Sequence, residues 1–395
     1  MIRVLISLFS LMLLFSCSKR SWVLEVHSGK YDRLNYPLGI TFPEPIETAK
    51  SYLLRDQKSN ATFPVQVVDA YRIFTIIDQL PKETVLTLEL EETEGNSMGL
   101  VSIEESDAGI QVFVEGKPML FYQSKTAFPP DGQPDYYKRS GFIHPLQAPN
   151  GAVLTDDFPM GHVHQHALFN AWTNTTFRGE KVDFWNQQHL LGTVEHKAIL
   201  ELSGNQFQVQ LSHISSTHGE VLEETWTITV HPIQDYFLFD LASTQINTST
   251  DTLFLEEYIY GGMAFRGSRE WNSDDTLHFV TPWSIRTDSG KDNETANHTK
   301  VKWLDASGQI GNQKAGVTVF CFPDNYRYPQ AVRVHPEMPY WVYAPVVEGR
   351  FFIAPGEAYE SKYRYYLHDG APDLELIDGI EKSISAPVEV KFFRK

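Results

Sequence analysis

Cysteine is nearly missing from these 395 residues: the chain has two, Cys17 and Cys321, which is too few for a disulfide framework. Basic charge is also short, with 33 lysines and arginines against 50 acidic residues and a formal charge of -17. Such a surface repels a phosphate backbone, so nucleic acid is excluded as a partner. Beyond the first residues there is no apolar run long enough to cross a bilayer as a helix. No repeat period suggests a propeller, and no capped apolar stripe of helical period runs for three turns. What is abundant is apolar and aromatic surface, 42% and 13% of residues, ample for a packed core and unlike a disordered chain.

The apolar run that does exist begins the chain. Arg3 precedes Val4 to Phe15, which has the length and character of an export signal and is too short to span a membrane. It ends in Leu14-Phe15-Ser16-Cys17, which resembles a bacterial lipobox. Residues 1–17 are therefore expected to be a lipoprotein signal, with Cys17 as the lipid anchor. The mature chain would then sit in the periplasm or at the outer membrane of a Gram-negative bacterium, held to the membrane through that lipid. Cys321, inside the strand-like Val317 to Phe322, is expected to be buried packing.

Strict alternation of apolar and polar residues in Thr84 to Leu90, Gln206 to Leu211 and Glu224 to Val230 predicts half-buried antiparallel strands, and the class is all-β. A polar stretch from Glu91 to Ser97 separates a histidine-poor segment from a body that holds nearly all the histidines and tryptophans. This predicts a small N-terminal β-sandwich over 18–105 and a large β-sandwich body over 106–395.

The chemistry concentrates in that body. Gly161-His-Val-His-Gln-His-Ala167 carries three alternating imidazoles, and on a strand His162, His164 and His166 would share one face. They could act in acid–base catalysis, contact a sugar, hold a zinc or iron ion, or serve structure alone; no cofactor is the expectation, with a divalent metal as the alternative. His144 lies shortly before. Asn170, Trp172, Asp183, Trp185 and Asn186 combine flat apolar faces with amide and carboxylate groups, as a polyhydroxylated ring requires. Paired Gly261 and Gly262 suggest close approach of another backbone or of a ligand, with Glu257 as candidate base and Arg266 as a holder of a substrate oxygen. Arg333 and His335 alternate on one face further on.

Several segments resemble a bacterial family of unknown function called PmoA-like, which carries the name methane oxygenase PmoA. They include Phe142-Ile-His-Pro145, Val153 to Pro159, Asp183-Phe-Trp185, Tyr260-Gly-Gly262 with Arg266, Asn297 to Trp303 and Tyr363 to Gly370. The family's usual D-H-P-H-H-R-G run is here Gly161 to Ala167, with Gln165 where a histidine is common. Methane oxidation is rejected, because the body has no membrane-spanning run. The resemblance implies an exported all-β protein associated with carbohydrate use, with a large antiparallel supersandwich of galactose-mutarotase-like kind. It further implies a histidine that protonates or polarises a ring oxygen and a glutamate that takes a proton, roles that His164, with His166 beside it, and Glu257 would fill. The expected function is action on a saccharide or oxidised sugar derivative by hydrolysis, elimination or epimerisation. The alternatives are a noncatalytic glycan-binding lipoprotein and a cupin-like metal enzyme.

Overall fold

The computed structural model describes residues 21–94, 101–275 and 281–394. The signal stretch and Cys17 lie outside the described residues. Among those described, every paired strand is antiparallel. The alternating segments form strands as their period demands. In Gly219–His231 the side chains of Trp226, Ile228 and Val230 point inward, while Thr225, Thr227 and Thr229 are half-buried on the other face. Each fully buried aliphatic side chain in such a row stabilises the fold by roughly 1.5–3 kcal/mol.

Two large sheets make the body. An eight-stranded sheet runs Gly192–Ser203, Gln206–Ser215, Gly219–His231, Phe237–Asn247, Ala358–Asp369, Gln313–Cys321, Trp303–Ile310 and Trp283–Thr287 in spatial order. A nine-stranded sheet includes Tyr340–Tyr343, Gly262–Arg266, Leu168–Ala171, Phe142–Leu146 and Lys117–Gln123 as successive neighbours. Their inner faces share one continuous apolar core, in which Ile110, Leu168 and Phe265 of one sheet meet Val209, Trp226 and Val317 of the other. Hydrogen bonds also cross the interior, from Asn170 to Glu224 and from the Tyr343 hydroxyl to the Val319 carbonyl. A small four-stranded sheet, which includes Thr175–Phe177 and Leu253–Leu255, stands beside them.

The N-terminal residues form a seven-stranded sheet with its own core of Leu24, Leu38, Leu54, Val65, Ile77 and Leu88. Its edge strand is the last of the chain, Glu389–Arg394, paired with Trp22–His27. Conversely, Val101–Glu105 pairs with Gly109–Val114 and so belongs to the nine-stranded sheet. Two segments thus lie on the far side of the 105/106 boundary drawn from composition, because strand pairing ignores the polar stretch that suggested it.

One helix corrects the expectation of no capped apolar stripe. Leu374–Ser385 starts at Asp373, whose carboxylate accepts the amides of Glu375 and Leu376. Ile377, Ile380 and Ile384 are buried against Ile233, Tyr236 and Tyr366. The stripe is three isoleucines wide, and Gly379 with two late serines makes it weak in sequence. Cys321 is buried as expected, and burial pushes its thiol up to about 11.

Candidate functional site

The histidine run is not a strand. Residues 160–164 form consecutive turns, with the amide of His162 on the Pro159 carbonyl and that of Gln165 on the His162 carbonyl. Pro159 lacks a ladder donor and Gly161 takes φ +84, so the backbone curls instead of extending. Side chains therefore leave the turn in different directions, and the common face expected of three alternating residues does not form.

His166 goes inward. It has no exposed surface, and its ring is surrounded by Phe142, Phe158 and Phe169. Nδ1 bonds Asp157 and Nε2 bonds the Gln187 side-chain oxygen, both at 2.9 Å. The Gln187 amide nitrogen donates to the Lys138 carbonyl, which fixes that oxygen toward the ring. Burial lowers the pKa of His166 and Asp157 opposes it. With both nitrogens committed and no access, His166 serves neither as catalyst nor as metal ligand. Among the described residues, no three histidine, cysteine or acidic side chains are arranged to hold a metal.

His162 and His164 stay at the surface, half-buried, with ring centres 5.8 Å apart. His162 Nδ1 stands 3.5 Å from Asp274, an ion-pair contact too long for a good hydrogen bond. Burial and the Arg266 charge lower its pKa. His164 makes no hydrogen bond to any described residue, and burial, followed by the charges of His162 and His166, pushes it down to about 4. The Asp183 carboxylate acts on it in the opposite sense.

Around these rings stand residues far apart in sequence. Arg266, at the end of strand Gly262–Arg266, is wholly buried and donates to the Gln165 side chain at 3.0 Å, leaving Nε and Nη2 unpartnered. Burial draws it down to about 10 against the pull of Asp156 and Asp274. It remains a cation at neutral pH, and its charge reaches His162, His164 and His335. Gly262, in the same strand, has φ +130, and a Cβ there would collide with the Tyr343 carbonyl, so the paired glycines do mark a close backbone approach. His335 accepts the amides of Glu337 and Met338 on Nδ1, which places its proton on Nε2. Burial and the Arg333 charge lower its pKa.

The aromatic side of the cluster is a series of rings. Exposed Tyr258 contacts Tyr260 at 5.1 Å, Tyr260 contacts Trp185 at 5.1 Å, and Trp185 reaches Tyr340 at 6.1 Å. Trp185 is 1% exposed, so it backs the site and does not face it. Asp183, also 1% exposed, accepts the amides of Trp185 and Asn186, the Asn186 side chain, and Nδ1 of His189. Asn186 in turn accepts the Tyr260 hydroxyl at 3.0 Å.

Other expected members lie elsewhere. Glu257 is exposed on the loop after Leu253–Leu255, where its carbonyl accepts the Asn174 side chain and its carboxylate meets none of the histidines. The run from Glu256 to Gly261 is a connection between two sheets, and that turns the carboxylate outward. Asn170 and Trp172 are interior, bonded to Glu224 and Gln245, so neither reaches a ligand. His144 lines a separate cavity of about 590 Å³ with Asp156, Arg269 and Asn312, its Nδ1 on the Thr155 hydroxyl. Burial lowers His144 and pushes Asp156 up to about 6, against Arg266 and Arg269. Asp156, Asp274, Tyr258 and Tyr340 were not singled out in the sequence. His189 was visible there as the histidine that follows the Asn174-to-Asn186 run, six residues after Asp183, but had no role assigned to it.

Residues 109–380 match the family of unknown function DUF6807, and the chain belongs to that family. The unknown function agrees with the expected resemblance, while nothing ties the chain by name to PmoA. None of the curated protein sequences compared with it matches. Among solved structures, it is similar to the GH36 α-galactosidase AgaB from Geobacillus stearothermophilus, at 10% identity and TM-score 0.32, over 70% of this chain and 39% of that one. It is also similar to the Slr1438 protein from Synechocystis sp. PCC 6803, at 11% identity and TM-score 0.30, over 70% of this chain and 100% of that one. The chain spans about two fifths of the length of the α-galactosidase.

Proposed function

We propose that this member of the DUF6807 family acts on a carbohydrate or an oxidised sugar derivative at the cluster of His162, His164, His335, Arg266 and Asp183. The observation that carries the proposal is His164: a half-buried imidazole without a hydrogen-bond partner, held neutral at pH 7, and acted on by Asp183, whose charge also reaches Tyr260 in the series of rings that begins at exposed Tyr258. A neutral imidazole offers one N–H and one lone pair, so it can polarise a sugar oxygen and pass a proton along it. Tyrosine faces suit the C–H faces of a pyranose. Arg266 and the Nε2–H of His335 add positive potential and a donor, which favours a ligand bearing a carboxylate or a developing oxyanion. Glu257 has no part in the reaction.

The test is a panel of neutral and uronate-containing oligosaccharides, assayed for binding by calorimetry and for turnover by chromatography. His164→Ala is expected to lower kcat/KM about 10²- to 10⁴-fold while saccharide affinity changes less than about tenfold. Glu257→Gln is expected to leave both unchanged. Absence of binding and turnover by the wild-type chain across the panel would overturn the proposal.

A further inference from the structure

We infer that His189, oriented by Asp183, is the general base of this cluster. Its substrate class rests on the saccharide proposal above, whereas its acid–base character rests on geometry of its own. With Glu257 turned away and His164, whose pKa is lowered, assigned to polarise a sugar oxygen, the cluster still needs a stronger base to take a proton.

His189 ends the 3-10 turn Gln187–His189, and Leu190 after it adopts a left-handed φ of 57° and is exposed. Nδ1 of His189 lies 2.9 Å from Oδ2 of Asp183. The other bonds to that carboxylate are also donated into it: two backbone amides on Oδ1, and the Asn186 side-chain nitrogen on Oδ2 at 2.9 Å. So many donors suit the ionised form, which only accepts. Nδ1 therefore carries the proton and Nε2 carries the lone pair. Nε2 has no partner among the described residues, and the side chain is 46% exposed.

This combination separates His189 from the other histidines that meet a carboxylate. His166 with Asp157, His213 with Glu224, His231 with Asp240 and His368 with Asp305 are all buried on the imidazole side. His27, His162 and His218 pair with carboxylates that are themselves exposed. Among the described residues, only His189 sets an exposed ring on a buried carboxylate, the arrangement by which an aspartate holds a histidine in its basic tautomer and stabilises the imidazolium that forms. Asp183 also acts on His164, and Asn186, bonded to Asp183, holds the Tyr260 hydroxyl, so the pair adjoins the cluster through Asp183.

The step is a single proton transfer. A hydroxyl of the bound sugar gives its proton to Nε2; the O–H bond breaks, an N–H bond forms, and the electron pair stays on oxygen. The new positive charge lies beside Asp183, and the reverse transfer returns the proton.

Two measurements on the full chain test the pair without a saccharide. In long-range proton–nitrogen spectra of ¹⁵N-labelled protein at pH 8, His189, assigned by its loss in His189→Gln, should show the Nδ1–H tautomer. Carbethoxylation of His189 by diethyl pyrocarbonate should slow at least about fivefold in Asp183→Asn, as the lone pair on Nε2 loses its fixed orientation. An Nε2–H tautomer in the wild type overturns the inference, and so does an unchanged rate in a folded Asp183→Asn chain. On any saccharide turned over by the wild type, His189→Gln should lower kcat at least about a hundredfold with KM within threefold. Unchanged turnover overturns the catalytic role. If no saccharide binds, the substrate class falls, while the tautomer and the carbethoxylation rate still decide the pair.

Discussion

Glu224 and Asp183 are carboxylates buried to almost the same degree, 0% and 1% exposed, yet one ends inside the protein and the other ends at its surface. Glu224, between the two large sheets, accepts Asn170, Trp226, Ser243 and His213, all of them buried. Burial pushes its pKa up, but the bonds from His213, Ser243 and Trp226 override that and hold it below the ordinary value. Asp183 is equally well supplied with donors, but one of them is an imidazole with 46% of its side chain exposed. The difference teaches how to tell a polar core from a site in this chain. Burial and hydrogen bonding are common to both, and only the route to solvent through a titratable partner separates them.

The comparison is sharpened first by removing the interior hub. Glu224→Ala strands four buried donors and is expected to lower the unfolding free energy by roughly 3–5 kcal/mol, measured by denaturant titration. A loss below about 1 kcal/mol would mean that the network contributes little and that the contrast with Asp183 is false.

The histidine run supplies the next contrast within five residues. His166→Ala leaves a void among three phenylalanines and strips partners from Asp157 and Gln187, an expected cost of roughly 2–4 kcal/mol. His164→Ala removes no hydrogen bond and should stay within about 0.5 kcal/mol at pH 7 in the same titration. Equal costs would erase the distinction between the inward and outward rings.

The last contrast is the dependence of stability on pH, where the two groups have opposite signs and partly cancel. His164 titrates near 4 in the folded chain instead of 6.5, so between those values the unfolded chain binds more protons. Its contribution is present above pH 6.5 and is lost as pH falls toward 4. Asp156, raised from 3.8 to about 6, has the opposite sign: its contribution is present below 3.8 and is lost as pH rises toward 6. Chemical unfolding from pH 4 to 7 should therefore show a shallower acid-side loss in His164→Ala and a steeper one in Asp156→Asn. Parallel profiles for both variants and the wild type would show that neither group is perturbed.

Much of the framework was legible because it depends on neighbours in the chain. The alternation of Gln206 to Leu211 and Glu224 to Val230 marks strands of an all-β body, and Cys321 in an apolar run marks a buried thiol. The candidate cluster was legible only in part of its membership and not in its arrangement. His162, His164, Asp183, Trp185, Asn186, Arg266 and His335 do gather, Trp185 and Asn186 as backing. The spacing of the histidines misled, because Pro159 and Gly161 make turns where a period of two requires an extended chain. Glu257 misled for another reason: a carboxylate near a glycine pair says nothing about which side of a connecting loop it will occupy.

Composition and periodicity alone determined the class of secondary structure and the net acidic charge of the chain. Pairing order settled the rest: that the final strand returns to the first sheet, that His166 is sealed while His164 is open, and that His189 rests on Asp183. Local preference acts over a few residues, through backbone sterics and the burial of alternate side chains. Convergence of groups a hundred positions apart depends on which strands lie side by side, and no short-range pattern encodes that order.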